Sequence, residues 1–382
     1  MAVASTADVT PATAARRDWL FLSAAFMSAA LLAALVLLDG QPASAALIAL
    51  GFALGVAFFS AEFSFTAAWR RFITRGEAGG LIGTLLLIAV AAVVIVPVAA
   101  VVPGFGGAIA PIGPSLIIGA FVFGIGMQLA NGCGSGTLYT VGSGAGRMLV
   151  ALAFFIAGSV IGSLHLPAFL ALGGVDPVLA SHYLGPWGGL AATLISLAAA
   201  AAAVVAIARR RGANYIPTRT MVLGATAIGI ISIGVFLAGG HPWSVTFGFT
   251  VWGGKIASAL GVDLTGAAFW QWPGPKRALA DSVLSDTSSL TDFGMIFGAM
   301  AAAAATRPFG RTPWPPFKSL LAAALGGLLM GWGARLGFGC NIGAFVGGVA
   351  SGSLHGWIWF AAALGGCAIG IRLRPYFGLS RE

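Results

Sequence analysis

GIGMQLANGCGSG, residues 124–136, breaks an apolar stretch with five glycines and Cys133, one of three cysteines in the chain. Moved along the sequence by 207 positions, it falls without a gap on GWGARLGFGCNIG, residues 331–343. Gly124, Gly126, Leu129, Gly132, Cys133 and Gly136 then meet Gly331, Gly333, Leu336, Gly339, Cys340 and Gly343. A weaker echo lies upstream, where FSFTAAW (63–69) shares Phe, Phe and Thr in register with FGFTVWG (247–253). Each half of the chain therefore carries an F-x-F-T element followed by a G-x-G…G-C-x-x-G element.

The surroundings of these elements are hydrocarbon-like. Of 382 residues, 58% are hydrophobic and 8% charged, against roughly 25% charged in soluble domains. Apolar runs of about 18 residues or more mark membrane-crossing helices. Ten such spans are predicted, near 20–38, 43–60, 80–102, 115–130, 147–165, 187–208, 220–239, 289–306, 318–337 and 355–373. The chain reads as an all-α polytopic membrane protein embedded in a lipid bilayer. One longer excursion, roughly 241–288, carries most of the acidic residues.

Lys and Arg concentrate on the cytoplasmic side of membranes. With the N-terminus inside, that side holds sixteen: Arg16, Arg17, Arg70, Arg71, Arg75, Arg147, Arg209, Arg210, Arg211, Arg219, Arg307, Arg311, Lys318, Arg372, Arg374 and Arg381. The outer side holds four: Lys255, Lys276, Arg277 and Arg335. The net charge of +9 is thus a matter of topology and not of nucleic-acid binding, and both termini are expected in the cytoplasm. The first span, preceded by ARRDWLFL and followed by PASA, also has the outline of an export signal, although its apolar stretch is long for a signal core.

Residues 43–165 and 220–373 form two transmembrane repeats. A connecting span and basic loop (166–219) lie between them, an N-terminal tail and extra span (1–42) before them, and a tail (374–382) after them. A four-span repeat plus one connecting span is an odd shift, so the second repeat is expected to be inverted in the membrane. Inverted repeats are a transporter architecture, with the substrate site where the halves meet.

Residues 134–142 and 341–349 read as short helices that follow a turn inside an apolar span. Non-helical backbone at membrane depth persists only where protein or a water-filled cavity surrounds it. Such a turn aims backbone N–H groups from a half-helix start, which attracts anions, and a thiol adds a soft, weak donor suited to sulfur. The candidate substrate path comprises Cys133, Cys340, Gly132, Gly134, Gly136, Gly339, Asn341 and Gly343. The plainer alternative is that the cysteines and glycines serve helix packing. Arg335 is a candidate for drawing in anions, with a lipid headgroup contact as the alternative. Its counterpart in the first repeat is Gln128. Cys367, inside the last span and opposite Val160 in the repeat, is a candidate third thiol with packing as its plainer role. The cysteine spacing forms no zinc site, no paired histidines suit haem, and no cofactor is implied.

FGIGMQLANGCGSGTLY and GGLLMGWGARLGFGCNIGAFVGGVASGSLHGW, together with HPWSVTFGFTVWGGK and FSFTAAWRR, resemble segments of the YeeE/YedE family of sulfur-compound transporters. The resemblance covers roughly residues 43–373, a nine-span core. It implies thiosulfate uptake along a central path in which cysteine thiols donate hydrogen bonds to the anion. It also implies a small TusA-like cytoplasmic sulfur-carrier as partner. The family's path cysteines match Cys133 and Cys340. A third family cysteine, in a pattern like F-C-x-T-x-x-F-R, is replaced here by Ser64, which leaves sulfite, another sulfur oxyanion or a selenium compound open as substrate.

The expectation is therefore an inner-membrane importer and not an enzyme, with a persulfide-forming sulfur relay as the competing class. A relay cysteine needs a nearby base or cation, and the sequence near Cys133 supplies none. The basic-residue count also makes a direct prediction: reporter fusions placed before residue 16 and after residue 382 should both read as cytoplasmic, and an outside N-terminus would overturn the ten-span topology.

Overall fold

Ten long apolar segments must each bury their backbone polarity internally, and in a bilayer a helix does so alone. The computed structural model describes residues 11–306 and 315–381, with the side chains of residues 11–17 excepted. Arg307 and Arg311, and the side chains of Arg16 and Arg17, lie outside the described residues. The helices are α1 (Pro11–Leu38), α2 (Pro42–Ser60), α3 (Phe65–Arg75), α4 (Gly79–Val101), α5 (Pro114–Ala130), α6 (Gly134–Gly142), α7 (Gly146–Leu170) and α8 (Ala180–Arg210). They continue with α9 (Arg219–Gly239), α10 (Thr246–Ala259), α11 (Ala268–Gln271), α12 (Pro273–Ala280), α13 (Thr287–Thr306), α14 (Phe317–Leu336), α15 (Gly347–Ala350) and α16 (Leu354–Leu373). A π-helical turn, Asn341–Val346, runs directly into α15.

Ten of these segments are long and apolar enough to cross a membrane, and they coincide with the ten predicted spans. The chain is an all-α, multi-pass membrane protein. Helix ends follow local chemistry. Pro42 and Pro114 open α2 and α5, where a missing N–H costs nothing. The Thr218 hydroxyl caps α9 by accepting from Met221 N at 3.2 Å. Two boundaries differ most from expectation: α8 begins at Ala180, seven residues ahead of the expected start at 187, and α7 continues to Leu170, past His165, whose Nδ1 accepts from Trp332 Nε1 at 2.9 Å. The excursion also holds more order than its composition announces, with α10, α11 and α12 inside it.

Two series of helices, α2–α7 and α9–α16, follow the same order of long and short elements, with α11 and α12 inserted in the second. Their contacts match when the series are exchanged. α5 packs against α14, and α2 against α9. α7 packs on α14 as α16 packs on α5; α2 packs on α13 as α9 packs on α4. α6 leans on α13 as α15 leans on α4. α8 joins the series and packs on α4, while α1 lies outside against α13 and α2.

Bilayer helices gain little from hydrophobicity between themselves and associate through close backbone packing at small residues. A Cβ on Gly366 of α16 would collide with the Phe121 carbonyl oxygen of α5, and one on Gly331 of α14 would collide with the Phe155 carbonyl oxygen of α7. Gly366→Leu is therefore expected to cost about 1–3 kcal/mol or more, the usual penalty of overpacking, and to lower the thermal unfolding midpoint in detergent. Its neighbour Gly365, where a Cβ would meet only the Phe121 ring at 3.7 Å, is the control, and Gly365→Leu should stay close to the parent chain.

Candidate functional site

The span containing α5 and α6 breaks at Asn131–Cys133. Asn131 takes the left-handed conformation (φ 62°) and ends α5. Three arginines from other elements answer this break, two at its backbone carbonyls and one at the Asn131 side chain. Arg147 donates to Ala130 O and, at 2.7 Å, to Leu129 O. Arg374 donates to Gln128 O at 2.6 Å, and Arg70 to Asn131 Oδ1 at 2.8 Å. Cations at a helix C-terminus also meet the negative end of its dipole.

On the other side of the break, Cys133 is the N-cap of α6. Its Sγ accepts from Gly136 N at 3.4 Å and lies 3.4 Å from Ser135 Oγ. Thr137 Oγ1 donates to the Cys133 carbonyl at 2.8 Å. A Cβ on Gly136 would stand 3.3 Å from the sulfur, so glycine here leaves room for the thiol. Gly132 packs against Met148, where a Cβ would meet the methyl carbon at 3.3 Å.

Cys340 repeats this arrangement. It is the N-cap of the π-helical turn, and its Sγ accepts from Ile342 N at 3.4 Å. Gly339 precedes it at φ 149°, with Ala344 N so close that a Cβ would stand 2.7 Å away. The next residue, Asn341, is fully buried, and neither its Oδ1 nor its Nδ2 has a hydrogen-bond partner. Gly343 opens toward Ser244, whose Oγ would be 3.5 Å from a Cβ.

Folding brings the two elements together. A Cβ on Gly134 would lie 2.9 Å from Cys340 Sγ and 3.4 Å from Thr246 Cγ2. The start of α6 and the thiol of the second half are thus in contact. Both cysteines are buried, as is Cys367. Cys367 sits apart from this meeting point, in the packing between α16 and α5, with Sγ donating to Gly124 O at 3.4 Å.

Two cavities open into the helix bundle, the larger of them reaching Gly343 of the Cys340 element. The larger, about 610 Å³, is lined by His241, Ser244, Phe247, Phe338, Gly343 and His355 together with residues of the 274–288 stretch. The smaller, about 190 Å³, is lined by Glu62, Ser64, Ala67, Arg71, Asn214 and Met221 among others. α9 runs from Thr218, on the smaller cavity, to the turn before His241, on the larger. They therefore lie at opposite ends of the helix bundle. Ser64 lines the smaller cavity while its Oγ accepts from Ala67 N at 3.2 Å, making it the N-cap of α3.

Arg335 does not reach outward to headgroups as one sequence reading allowed. Its guanidinium lies over the rings of Phe247 and Phe269, at 5.8 and 5.4 Å, and donates to Thr250 Oγ1 at 3.2 Å. Gln128, its repeat counterpart, donates to the carbonyl of Thr66, the counterpart of Thr250. Placement is shared between the halves; charge is not. Residues that sequence reasoning passed over include Thr246, Ser244, Asn131 and Tyr139, whose ring, in the second turn of α6, stacks on Phe58 at 5.9 Å. Asn131 was legible as an Asn-Gly turn signal. The others carry no signal outside their three-dimensional setting.

A sequence model for sulphur transport matches residues 60–369. Among curated proteins, the chain is 37% identical over 155 residues to "Probable transporter YedE" of Salmonella typhimurium, covering 40% of this chain and 37% of that protein. It is 33% identical over 264 residues to "Thiosulfate transporter TsuA" of Spirochaeta thermophila, covering 63% of this chain and 72% of that protein. It is also 26% identical over 275 residues to "Thiosulfate transporter TsuA" of Escherichia coli, covering 63% and 69%. The match thus spans less than half the length of the YedE relative.

The contact at Gly134 makes a local prediction. Gly134→Ala forces Cys340 Sγ to move, because carbon and sulfur do not rest 2.9 Å apart. The rate at which Cys340 reacts with a small thiol reagent should change in a Cys133→Ala, Cys367→Ala background, whereas Gly132→Ala, with only a flexible methionine to displace, should alter it far less.

Proposed function

The chain belongs to the sulphur transport family, and on that premise we propose that it carries a small sulfur-containing anion, thiosulfate first, across the inner membrane past Cys133 and Cys340. One observation carries the reading: the thiol of one half touches the start of the short helix capped by the other thiol, in a bundle with cavities at its opposite ends. An anion at this junction meets N–H groups from two half-helix starts, where negative charge is favoured. It also meets sulfur atoms that can turn from their backbone donors toward a soft ligand. Asn341, with both polar atoms free of protein partners, supplies one further donor and acceptor.

The reciprocal packing of the two helix series, with five spans from α2 to α9, supports an inverted repeat about an axis between α5 and α14. With both termini cytoplasmic, the larger cavity is the outer vestibule and the cavity at Ser64 the inner one. A small TusA-like carrier then receives the sulfur compound on the inner side. The relatives named as thiosulfate transporters favour thiosulfate. Ser64, which serves α3 as a cap and faces the inner cavity, is where sulfite or selenite would be told apart from it. The transport reading is preferred to a persulfide relay because it requires no activated thiolate.

Removing one group from a desolvated site leaves its partners unsatisfied, at about 1–3 kcal/mol, and about 1.4 kcal/mol is one decade. Cys133→Ala and Cys340→Ala should each lower uptake of labelled thiosulfate into proteoliposomes about tenfold or more, and Cys367→Ala should have little effect. Running sulfite and selenite in parallel identifies the substrate, and mass spectrometry for a thiol adduct separates the relay. Undiminished uptake by both single mutants would rule out a thiol-lined path.

A further inference from the structure

One buried acid lies close to the proposed path without being part of it. Asp292, in the second turn of α13, is fully buried, and neither carboxyl oxygen has a hydrogen-bond partner. An isolated carboxylate in such a place is very costly, whereas a neutral carboxyl is tolerable. Ionisable groups inside membrane spans are characteristically parts of ion or proton routes.

Its position is specific. Ser288, one turn earlier on the same helix face, lines the larger cavity with Asp286 and Thr287, so Asp292 lies one turn beneath the cavity wall. From the other side, the first turn of α10 gives way to it: a Cβ on Gly248 would stand 2.7 Å from Asp292 Oδ2. Gly248 is the counterpart of Ser64 in the F-x-F-T alignment. Where the first half presents a side-chain hydroxyl, the second presents bare backbone and, behind it, this carboxyl. Two residues before Gly248, Thr246 lies at the meeting point, where a Cβ on Gly134 would stand 3.4 Å from Thr246 Cγ2 and 2.9 Å from Cys340 Sγ.

The other charged and titratable groups around it are few. Asp286 precedes α13, where its Oδ2 accepts from Ser289 N and Oγ at 2.8 and 2.7 Å. Burial pushes its carboxyl up, against those bonds and His241, which pull it down. Lys255 on α10 is turned away, with Nζ donating to Leu279 O and Asp281 O. α6 contributes Tyr139 and its cap Cys133, and α2 carries no titratable side chain. α1 brings Asp18, about two turns from the Phe26 ring that packs on Phe52.

Resting on the transporter reading above, we propose that Asp292 is the proton-carrying group that couples anion movement to a proton. The neutral carboxyl donates its O–H to an anion oxygen beside Cys340. It gives that proton up to water on the side of the Ser64 cavity as the anion moves inward, and regains one from the larger cavity by way of Asp286 and His241.

The test follows labelled thiosulfate into proteoliposomes holding the full chain, at clamped membrane potential, with and without an acid-outside gradient of about one pH unit. At one proton per anion that gradient is worth about tenfold in accumulation. The expected result is gradient-driven accumulation by the parent chain, a ratio near one in Asp292→Asn whatever its absolute rate, and partial recovery of the ratio in Asp292→Glu. An undiminished ratio in Asp292→Asn overturns the proposal, and so does a parent chain that takes up thiosulfate with no response to the gradient; both leave the transporter reading standing. A parent chain that takes up neither thiosulfate, sulfite nor selenite refutes the transporter reading, and the coupling role falls with it. If Asp292→Asn does not fold, infrared spectroscopy of Asp286→Asn decides: a protonated-carboxyl band at neutral pH supports the assignment, and its absence overturns it.

Discussion

A helix interrupted within an apolar span leaves carbonyls on one side of the break and N–H groups on the other, and lipid can satisfy neither. The rest of this structure is arranged around that constraint at two places. At the end of α5, Arg70, Arg147 and Arg374 converge from three other elements on the exposed carbonyls and on Asn131. At the starts of α6 and the π-helical turn, Cys133 and Cys340 accept backbone N–H groups through sulfur. A thiol is a weak acceptor, so these caps are broken at less cost than a carboxylate or hydroxyl cap. The same atoms hold the breaks together and face the junction between the halves.

The two halves keep geometry more faithfully than chemistry. Gln128 and Arg335 occupy equivalent positions and bond equivalent threonine residues, yet one is neutral and the other cationic. Ser64 caps α3, whereas Gly248 leaves its place to Asp292. Gly134 and Asn341 both follow the cysteine; the first makes room for the opposing sulfur and the second brings an amide with unused capacity. Packing contacts constrain both copies of a duplicated unit in the same way, because α5 and α14 must fit each other and also α16 and α7. The groups that line the two cavities are released from that constraint, since the cavities open at opposite ends of the bundle. Divergence at matched positions is therefore concentrated where packing between the two series does not reach.

Much of the architecture was legible in the chain itself. Ten spans follow from hydropathy, because a bilayer demands about 20 apolar residues per crossing whatever their partners. The short helices at 134–142 and 341–350 follow from glycine, cysteine and asparagine at the breaks, where local backbone geometry is decided within a few residues. The repeat, and with it the pairing of Cys133 with Cys340, is a property of sequence alignment alone.

Tertiary structure decided what each of those residues touches. Arg147 counts as one more basic loop residue until α5 is seen ending beneath it, and Arg335 is a surface cation until Phe247 and Phe269 lie under its guanidinium. The apolar run that marks the fifth span fades at His165, while α7 continues to Leu170, packed against α14. Asp292 in SSLTDFGM is an unremarked acid near a helix start, and only the bare backbone of Gly248 across from it shows that it lacks any partner. The division has a physical basis. Crossing a bilayer and turning within it depend on local composition and backbone freedom. The meeting of Cys340 with Gly134 depends on two elements more than 200 residues apart, brought together by glycine-mediated contacts whose partners no single segment can specify.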